Sequence, residues 1–296
     1  MTQNLVGLVK VMRPQEWVKN LLVFSGLIFS GSLFDVEKFV ASFYGFLIFC
    51  CASSAVYVLN DLCDVKEDRE HPTKCLRPLA AGTLSFGLAV LSVLVLFTMA
   101  ILAAIKLNQS FAVIILAYTV TCMVYSFRLK DIVILDVILI ASGFVLRAIS
   151  GAKIIGADVS EWLVLCTSMV ALLIGFGKRR HEMTLLENVA GNHRRSLNDY
   201  SVEFLDTMMS ICAGAAVITY ALYTTSDETT ARIHSRWMLI TIPFVVYGVF
   251  RYLYLTQKLS KGGDPVRLLF HDFPTKLNLT LWILTSGLVI YYIPPF

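Results

Sequence analysis

Four polar residues at one predicted helix end have the spacing of a metal and phosphate site. The stretch "NDLCDVKEDREHPTKCLRP" follows a long apolar run and contains Asn60, Asp61, Asp64 and Asp68. If the helix continues through Asp68 at 100° per residue, these side chains fall within an arc of about 100°. Pro72 then ends the helix, because proline is poorly tolerated in a helix interior. The three carboxylates are therefore predicted to converge on one face.

Converging carboxylates repel each other, and stacked like charges destabilise a helix by a few tenths of a kcal/mol per pair. A divalent cation offsets this repulsion. Mg²⁺ is usually held by one or two carboxylates, some waters and substrate phosphate oxygens. We therefore predict a Mg²⁺ cofactor, with Asn60 as a substrate-binding neighbour and with three catalytic metal ligands: Asp61, Asp64 and Asp68. The alternative is a solvated helix end with Lys66 and Arg69 as local partners.

Basic side chains near this stretch are candidates for binding phosphate. Arginine forks bind phosphate oxygens bidentately, and lysine acts as a point charge. The alternative is that these residues set the membrane topology and meet anionic lipid headgroups. Arg13 and Lys19, which flank Trp17, are either phosphate ligands or an interfacial anchor. The predicted substrate-binding residues of this kind are Lys19, Lys74, Arg77, Lys130, Lys178, Arg179 and Arg180, and Tyr125 is predicted to bind substrate beside them.

Two further ionisable residues, Asp136 and Arg147, lie within one apolar stretch, "DIVILDVILIASGFVLRAISGA". Ionisable groups at membrane depth are costly and indicate function by default. The two residues share a helix face but are about 16 Å apart along the axis, so one phosphate cannot bridge them. Both are predicted to bind substrate, with Asp136 as the better ligand and bracing of a neighbouring helix as the alternative for Arg147.

The elements that must position these residues are transmembrane helices. Of the 296 residues, 57% are hydrophobic and only 16% are charged. Soluble domains contain about 25% charged residues. Several apolar runs are long enough to cross a hydrocarbon core about 30 Å thick. The first run lacks a cleavage pattern and is predicted to be a retained helix, not a signal peptide.

We predict an all-α membrane protein with one domain, residues 1–296. Its nine predicted spans are 20–34, 38–59, 83–105, 109–126, 132–152, 160–177, 206–224, 237–256 and 277–294. With a cytoplasmic N-terminus, 18 Lys and Arg residues fall on the cytoplasmic face and 5 on the other. This bias predicts the N-terminus inside and the C-terminus outside. The acidic and basic clusters then share the cytoplasmic membrane edge, where we place the active site.

The acidic stretch has the N-D-x-x-D-x-x-x-D pattern of the UbiA-type intramembrane prenyltransferase superfamily, which it resembles. That resemblance implies a UbiA-like helical bundle in which the aspartates hold Mg²⁺ and a diphosphate. Prenyl-diphosphate users of the superfamily carry a second aspartate-rich motif after span six. Here that loop reads "GKRRHEMTLLENVAGNHRRSLNDYS", which is mainly basic. The pattern of a site with two metal motifs is therefore incomplete.

One branch, the decaprenyl-phosphate phosphoribosyltransferases, resembles the chain along nearly its whole length. The matching segments are "MRPQEWVKNLLVFSGLIFSG", the acidic stretch, "YSFRLKDIVILDVILIASGFVLRAISGA", "GFGKRRHE" and "GGDPVRLLFHD". The resemblance implies transfer of 5-phosphoribose from phosphoribosyl diphosphate to a polyprenyl phosphate, for cell-envelope polysaccharide synthesis in a bacterial inner membrane. We expect these two substrates and the membrane as partners and no nucleic acid, and leave homo-oligomerisation open.

Two other functions remain as alternatives. An aromatic or quinone-pathway prenyltransferase of the same superfamily would use a prenyl diphosphate and would need the second motif. A transporter would also explain intramembrane charge. However, transporters place polar sites at broken spans near the bilayer midplane. Most charge here lies at one predicted face.

Overall fold

The computed structural model describes residues 2–70, 73–186, 199–233, 235–259, 268 and 271–292, and these contain no β-strand. Most of the "GGDPVRLLFHD" segment and of the loop beyond "GFGKRRHE" lies outside them. Among the described residues the α-helices are α1 (Thr2–Met12), α2 (Ser25–Phe29), α3 (Val36–Cys63), α4 (Val65–Glu70), α5 (Phe86–Leu107), α6 (Gln109–Phe127), α7 (Leu135–Ile154), α8 (Glu161–Leu186), α9 (Val202–Thr225), α10 (Asp227–Ile233), α11 (Ile242–Gln257) and α12 (Phe273–Tyr291). A 3₁₀ helix, Pro14–Phe24, joins α1 to α2, and a shorter one, Trp237–Thr241, leads into α11.

Eight helices in the described part of the chain are long and apolar enough to cross a membrane. They correspond to eight of the nine predicted spans, and the all-α fold is confirmed. The first predicted span, 20–34, differs because it lies in the 3₁₀ helix and the five-residue α2. Pro14 stops α1 from continuing, and the chain leaves α2 through Gly31, which has a left-handed φ of 72°. The orientation of the bundle stays a prediction.

Side-chain caps start several of the long helices. Asp35 accepts a hydrogen bond from the backbone N–H of Lys38 at the start of α3. Backbone N–H groups at the starts of three more helices donate to a capping side chain in the same way: to Asn108 at α6, to Ser201 at α9 and to Asp272 at α12. Each cap satisfies a backbone donor that the helix itself leaves unpaired. The helix starts are therefore encoded locally in the sequence.

Helix α7 lies between two packed groups of helices. One apolar cluster includes Phe49 of α3 and Phe111 of α6, and a second joins Val137 of α7 to Leu205 of α9. The 3₁₀ helix packs so closely on α7 that a Cβ atom added at Gly151 would lie 2.1 Å from the Val23 carbonyl oxygen. This packing brings the end of α3, the end of α6, the start of α7 and the end of α8 to one end of the bundle.

The last helix closes the bundle onto its first segments. The Tyr291 hydroxyl of α12 donates to the Ile28 carbonyl oxygen at 2.8 Å and accepts from the Leu33 N–H at 3.2 Å. Its ring also packs edge-on against Phe34. One side chain of α12 therefore fixes the connection between α2 and α3.

Candidate functional site

The acidic stretch is helical, as predicted, with one interruption. Helix α3 ends at Cys63, Asp64 caps it, and α4 ends at Glu70. The backbone N–H groups of Asp64 and Asp68 still bond to the carbonyl oxygens four residues earlier, at 3.0 and 2.8 Å. Asp61 and Asp68 therefore lie two turns apart on one face, and both are buried.

Asp61 is the meeting point of two arginines. Its Oδ1 atom lies 2.5 Å from Arg13 Nη2 and 3.1 Å from Arg77 Nη1. The same Arg77 nitrogen lies 2.6 Å from Asp68 Oδ2. One guanidinium thus bridges the two buried carboxylates.

Asp64 turns toward a different cation. Its carboxylate pairs with Lys130, which follows α6, and accepts a hydrogen bond from Asn60 Nδ2 at 3.0 Å. Asn60 is itself held by Ser126 at 3.4 Å. Lys74 is exposed and lies in the turn that leads to Arg77. These residues and the arginines on Asp61 form one group of opposite charges at the end of α3.

The donor set suits Mg²⁺ by chemical type, because the carboxylates and Asn60 offer only hard oxygen ligands. Among the described residues, no three His, Cys, Asp or Glu side chains are close enough to form a complete metal cage. Mg²⁺ does not require one, since substrate phosphates and waters supply its remaining ligands. In this arrangement three carboxylates face three cations, namely Arg13, Arg77 and Lys130. A metal–diphosphate ligand would exchange partners with these pairs.

A second buried network lies at the start of α7. Asp136 is fully buried, lies 2.7 Å from Arg179 Nε and accepts a hydrogen bond from the Tyr200 hydroxyl at 2.8 Å. Arg179 also pairs with Glu182 and reaches the Tyr125 hydroxyl at 3.4 Å. Burial raises the pKa of the Tyr200 hydroxyl, which keeps it protonated as a donor. Asp136 is therefore an anchor for Arg179, with Oδ1 bonded to Tyr200 and Oδ2 at ion-pair distance from the guanidinium.

Arg180 has protein partners in this structure, and its predicted role in phosphate binding stays a prediction. Its Nε atom lies 2.6 Å from Asp206 Oδ1, and its Nη1 donates to the Thr256 carbonyl oxygen at 2.9 Å. Adjacent helical residues point about 100° apart, so three in a row cannot face one ligand. Arg180 ties α8 to α9 and α11.

Lys178 points elsewhere and is exposed, although its neighbours Gly177 and Arg179 are buried. It lies within electrostatic range of Glu182 and of two residues of the 3₁₀ helix, Glu16 and Lys19. Those two residues pair with each other. Lys178 is thus the member of the basic run that is placed to meet a charged ligand.

Arg147 is bonded to protein on all three guanidinium nitrogens, and its role as a direct substrate ligand stays a prediction. Its three nitrogens donate to Asn20 Oδ1 at 2.7 Å, to the Gly143 carbonyl oxygen at 2.7 Å and to the Tyr118 hydroxyl at 2.9 Å. Only 5% of the residue is exposed. It braces the 3₁₀ helix against α7, and bracing of a neighbouring helix is the alternative role predicted for it from the sequence.

Among the residues of these networks, the sequence left Arg13 between two roles and did not single out Tyr200. Arg13, at φ 52°, precedes Pro14, and this non-glycine residue in the left-handed region directs its side chain to Asp61. Prolines disfavour the helical region for the residue before them, which is the local signal for that bend. Tyr200 lies 64 residues from Asp136 and has no local signal.

Comparison with known proteins gives a consistent result. The model of the UbiA prenyltransferase family matches residues 21–273. The decaprenyl-phosphate phosphoribosyltransferase of Mycolicibacterium smegmatis is 32% identical over 304 residues, covering 98% of this chain and 94% of that protein. The enzyme of the same name from Corynebacterium glutamicum is 31% identical over 302 residues, covering 98% and 88%.

Solved structures show the same fold. A UbiA homologue from Archaeoglobus fulgidus bound to GPP and Mg²⁺ superimposes with a TM-score of 0.71 at 19% identity, covering 96% of this chain and 99% of that one. The same homologue bound to DMAPP and Mg²⁺ gives a TM-score of 0.70 at 19% identity, covering 97% and 99%. With eight long apolar helices in its described part and its match to this membrane family, the chain is a multi-pass membrane protein.

Proposed function

Because the chain belongs to the UbiA prenyltransferase family, we propose that it is a membrane phosphoribosyltransferase built as a single domain over residues 1–296. It transfers 5-phosphoribose from phosphoribosyl diphosphate to a polyprenyl phosphate such as decaprenyl phosphate and releases diphosphate. The product serves cell-envelope polysaccharide synthesis at the cytoplasmic edge of a bacterial inner membrane. Relatives named for this reaction match 98% of the chain.

The observation that carries the proposal is the mixture of charges at the end of α3. Three carboxylates of one helix end are met by cations from three other segments, which contribute Arg13, Arg77 and Lys130. Lys178 adds a further cation from α8. The proposed reaction brings a diphosphate, a sugar phosphate and a lipid phosphate together, so it needs more cations than one metal supplies. A prenyl diphosphate and an aromatic acceptor bring fewer phosphate groups and would need fewer cations.

The residues that would hold Mg²⁺ are Asp61, Asp64 and Asp68, with Asn60 beside them. When bound, Mg²⁺ neutralises charge on the departing diphosphate. Arg13 and Arg77 then exchange their carboxylate partners for phosphate oxygens, which suit a guanidinium fork. Fixed cations of this kind orient both phosphates before reaction, so little reorganisation is needed at the transition state.

The nucleophile needs no general base. A phosphate monoester has a second pKa near 6, so the acceptor phosphate is already ionised near neutral pH. One of its oxygens forms a bond to ribose C1 while the bond from C1 to diphosphate breaks. Attack from the opposite face inverts the anomeric centre. Lys130 and Lys178 are the cations that we assign to guiding the acceptor phosphate.

The test is a choice between donors. Purified protein with Mg²⁺ receives labelled phosphoribosyl diphosphate and a polyprenyl phosphate, and label is counted in the organic phase. A parallel reaction contains a prenyl diphosphate and an aromatic acid. We expect lipid label in the first reaction and its loss with EDTA. Product in the second reaction alone would identify an aromatic prenyltransferase instead.

Variants connect that activity to the proposed ligands. Asp61→Ala and Asp64→Ala should abolish Mg²⁺-dependent transfer, because each removes an oxygen ligand. Glu228→Gln is the matched control, since this exposed carboxylate pairs only with Arg232 on α10 in the described structure. Full activity in both aspartate variants would refute the metal assignment.

A further inference from the structure

The 3₁₀ helix sorts its side chains into columns. It runs for 11 residues, from Pro14 to Phe24, whereas 3₁₀ helices longer than three or four residues are uncommon. With three residues per turn, side chains three apart stack directly above one another. Glu16 and Lys19 stack in this way, and Arg13, the left-handed residue that precedes the helix, completes a charge column of three residues. This charge column faces Asp61 at one end and Lys178 at the other.

A second column anchors the helix to the bundle. Trp17 Nε1 donates to Ser54 Oγ at 3.0 Å on α3. Three residues later, Asn20 Nδ2 donates to Ser53 Oγ at 3.1 Å. Asn20 is buried and also accepts from Arg147 at 2.7 Å. An α-helix would rotate these side chains by about 60° every three residues and would break the alignment of both columns.

Arg147 contributes a charge with no acidic partner among the described residues. Its guanidinium meets only the oxygens of Asn20, Gly143 and Tyr118 and the aromatic rings around it. The Tyr118 ring centre lies 4.7 Å away and the Phe49 ring centre 5.6 Å. A buried charge within the membrane is costly, and a purely structural contact could be made without it. Its bond to Asn20 connects it to the segment that carries Arg13 and Lys19.

We propose that Arg147 is a positioning residue that acts through Asn20, holding the 3₁₀ helix in the register that directs the charge column at the substrate site. The identity of the ligand that the charge column binds rests on the proposed function. The register itself does not depend on that function. Arg147 sets the position of Arg13 and Lys19 without touching substrate.

Three variants separate this role from general stability. Asn20→Ala removes the link between Arg147 and the 3₁₀ helix and also the Asn20 bonds to Ser53 and Cys50. Asn20→Asp likewise loses the donor to Ser53 and Cys50 but keeps an oxygen acceptor for Arg147, so rescue by Asn20→Asp assigns the effect to Arg147. Tyr118→Phe is the matched control, because it removes a different hydrogen bond from the same guanidinium and leaves Asn20 in place.

The first measurement is hydrogen exchange of the peptide covering residues 14–24 in the ligand-free, full-length protein. We expect roughly tenfold faster exchange in Asn20→Ala, the effect of losing a buried hydrogen bond, and near wild-type exchange in the other two variants. The second is transfer kinetics, where Asn20→Ala should raise the KM for phosphoribosyl diphosphate about tenfold through misplaced cations. The kcat should change less.

Any of three results would overturn the proposal. The first is unchanged exchange in Asn20→Ala, and the second is an equal effect of Tyr118→Phe on residues 14–24. The third is exchange in Asn20→Asp as fast as in Asn20→Ala, which would assign the effect to the lost bonds to Ser53 and Cys50. If the wild-type protein does not use phosphoribosyl diphosphate at all, the proposed function fails. The exchange comparison still decides the role of Arg147, so the two failures are distinguishable.

Discussion

Arg13 and Asp61 are 48 residues apart in the sequence, and their side chains meet at 2.5 Å. This pair joins the start of the 3₁₀ helix to the end of α3. Arg77 reaches the same carboxylate oxygen from the segment after α4. Asp61 is therefore the point at which three segments of the proposed site depend on one another.

Arg77→Lys should weaken donor binding while keeping the charge. Lysine has a single nitrogen and cannot present a guanidinium fork to the carboxylates or to a phosphate. We expect the KM for phosphoribosyl diphosphate to rise about tenfold in steady-state transfer assays. Lys66→Met is the control, because Lys66 is exposed on α4. An unchanged KM in Arg77→Lys would assign Arg77 to structure only.

Substitutions in the basic run on α8 should have two different effects. Lys178→Ala should raise the KM for at least one substrate with little change in thermal stability. Arg180→Ala leaves Asp206 and backbone carbonyl oxygens without their donor and should cost about 1–3 kcal/mol of stability with little change in KM. Thermal unfolding in detergent and transfer kinetics measure the two effects. Equal effects of both variants on KM would restore the run as one phosphate site.

The cap of α12 should be sensitive to acid. Arg251 binds Asp272 at 2.8 and 3.1 Å and holds the pKa of that carboxyl well below its usual value, despite the opposing effect of burial. A lowered folded-state pKa stabilises the protein above the unfolded-state pKa of about 3.9, and that stabilisation is lost as pH falls through the folded value. Arg251→Met should therefore lower the melting temperature most at neutral pH. The difference from wild type should narrow below about pH 4. If the melting temperatures of Arg251→Met and wild type differed by the same amount at every pH, the ion pair with Asp272 would not be the cause of the difference.

Close packing of the 3₁₀ helix on α7 should not tolerate a methyl group. A Cβ at Gly151 would meet the backbone of Val23 at 2.1 Å, which flexible side chains cannot relieve. Gly151→Ala should therefore lower stability by about 1–3 kcal/mol or more. Gly87→Ala is the control, because nothing lies within 4 Å of a Cβ at that helical position. Similar melting temperatures for the two variants would show that the segments can separate without cost.

The sequence predicts the local parts of this structure well. Asp61 and Asp68 share a face because helical periodicity alone places residues seven apart together. Apolar runs likewise predict eight of the membrane helices. The division of residues 178–180 also follows from the helical angle, although treating them as one basic run conceals it.

The parts that sequence reasoning misses depend on distant contacts. Tyr200 meets Asp136 across 64 residues, and nothing near Tyr200 indicates that partner. The sequence predicts Arg147 as a ligand because a charge in a membrane helix indicates function, but its partner Asn20 is 127 residues away. The 3₁₀ geometry at Pro14–Phe24 is equally hidden, since it depends on anchoring to α3 and α7.

During synthesis, Tyr291 can make its contacts only after α12 has been added to the chain. These contacts reach back 263 residues to Ile28 and 258 residues to Leu33. Ribosomes add roughly 5–20 residues per second, so α2 and the segment after it wait on the order of tens of seconds for this partner. During that interval the nascent bundle is open on the side that α12 later covers. Insertion of α12 is then the step that covers this side.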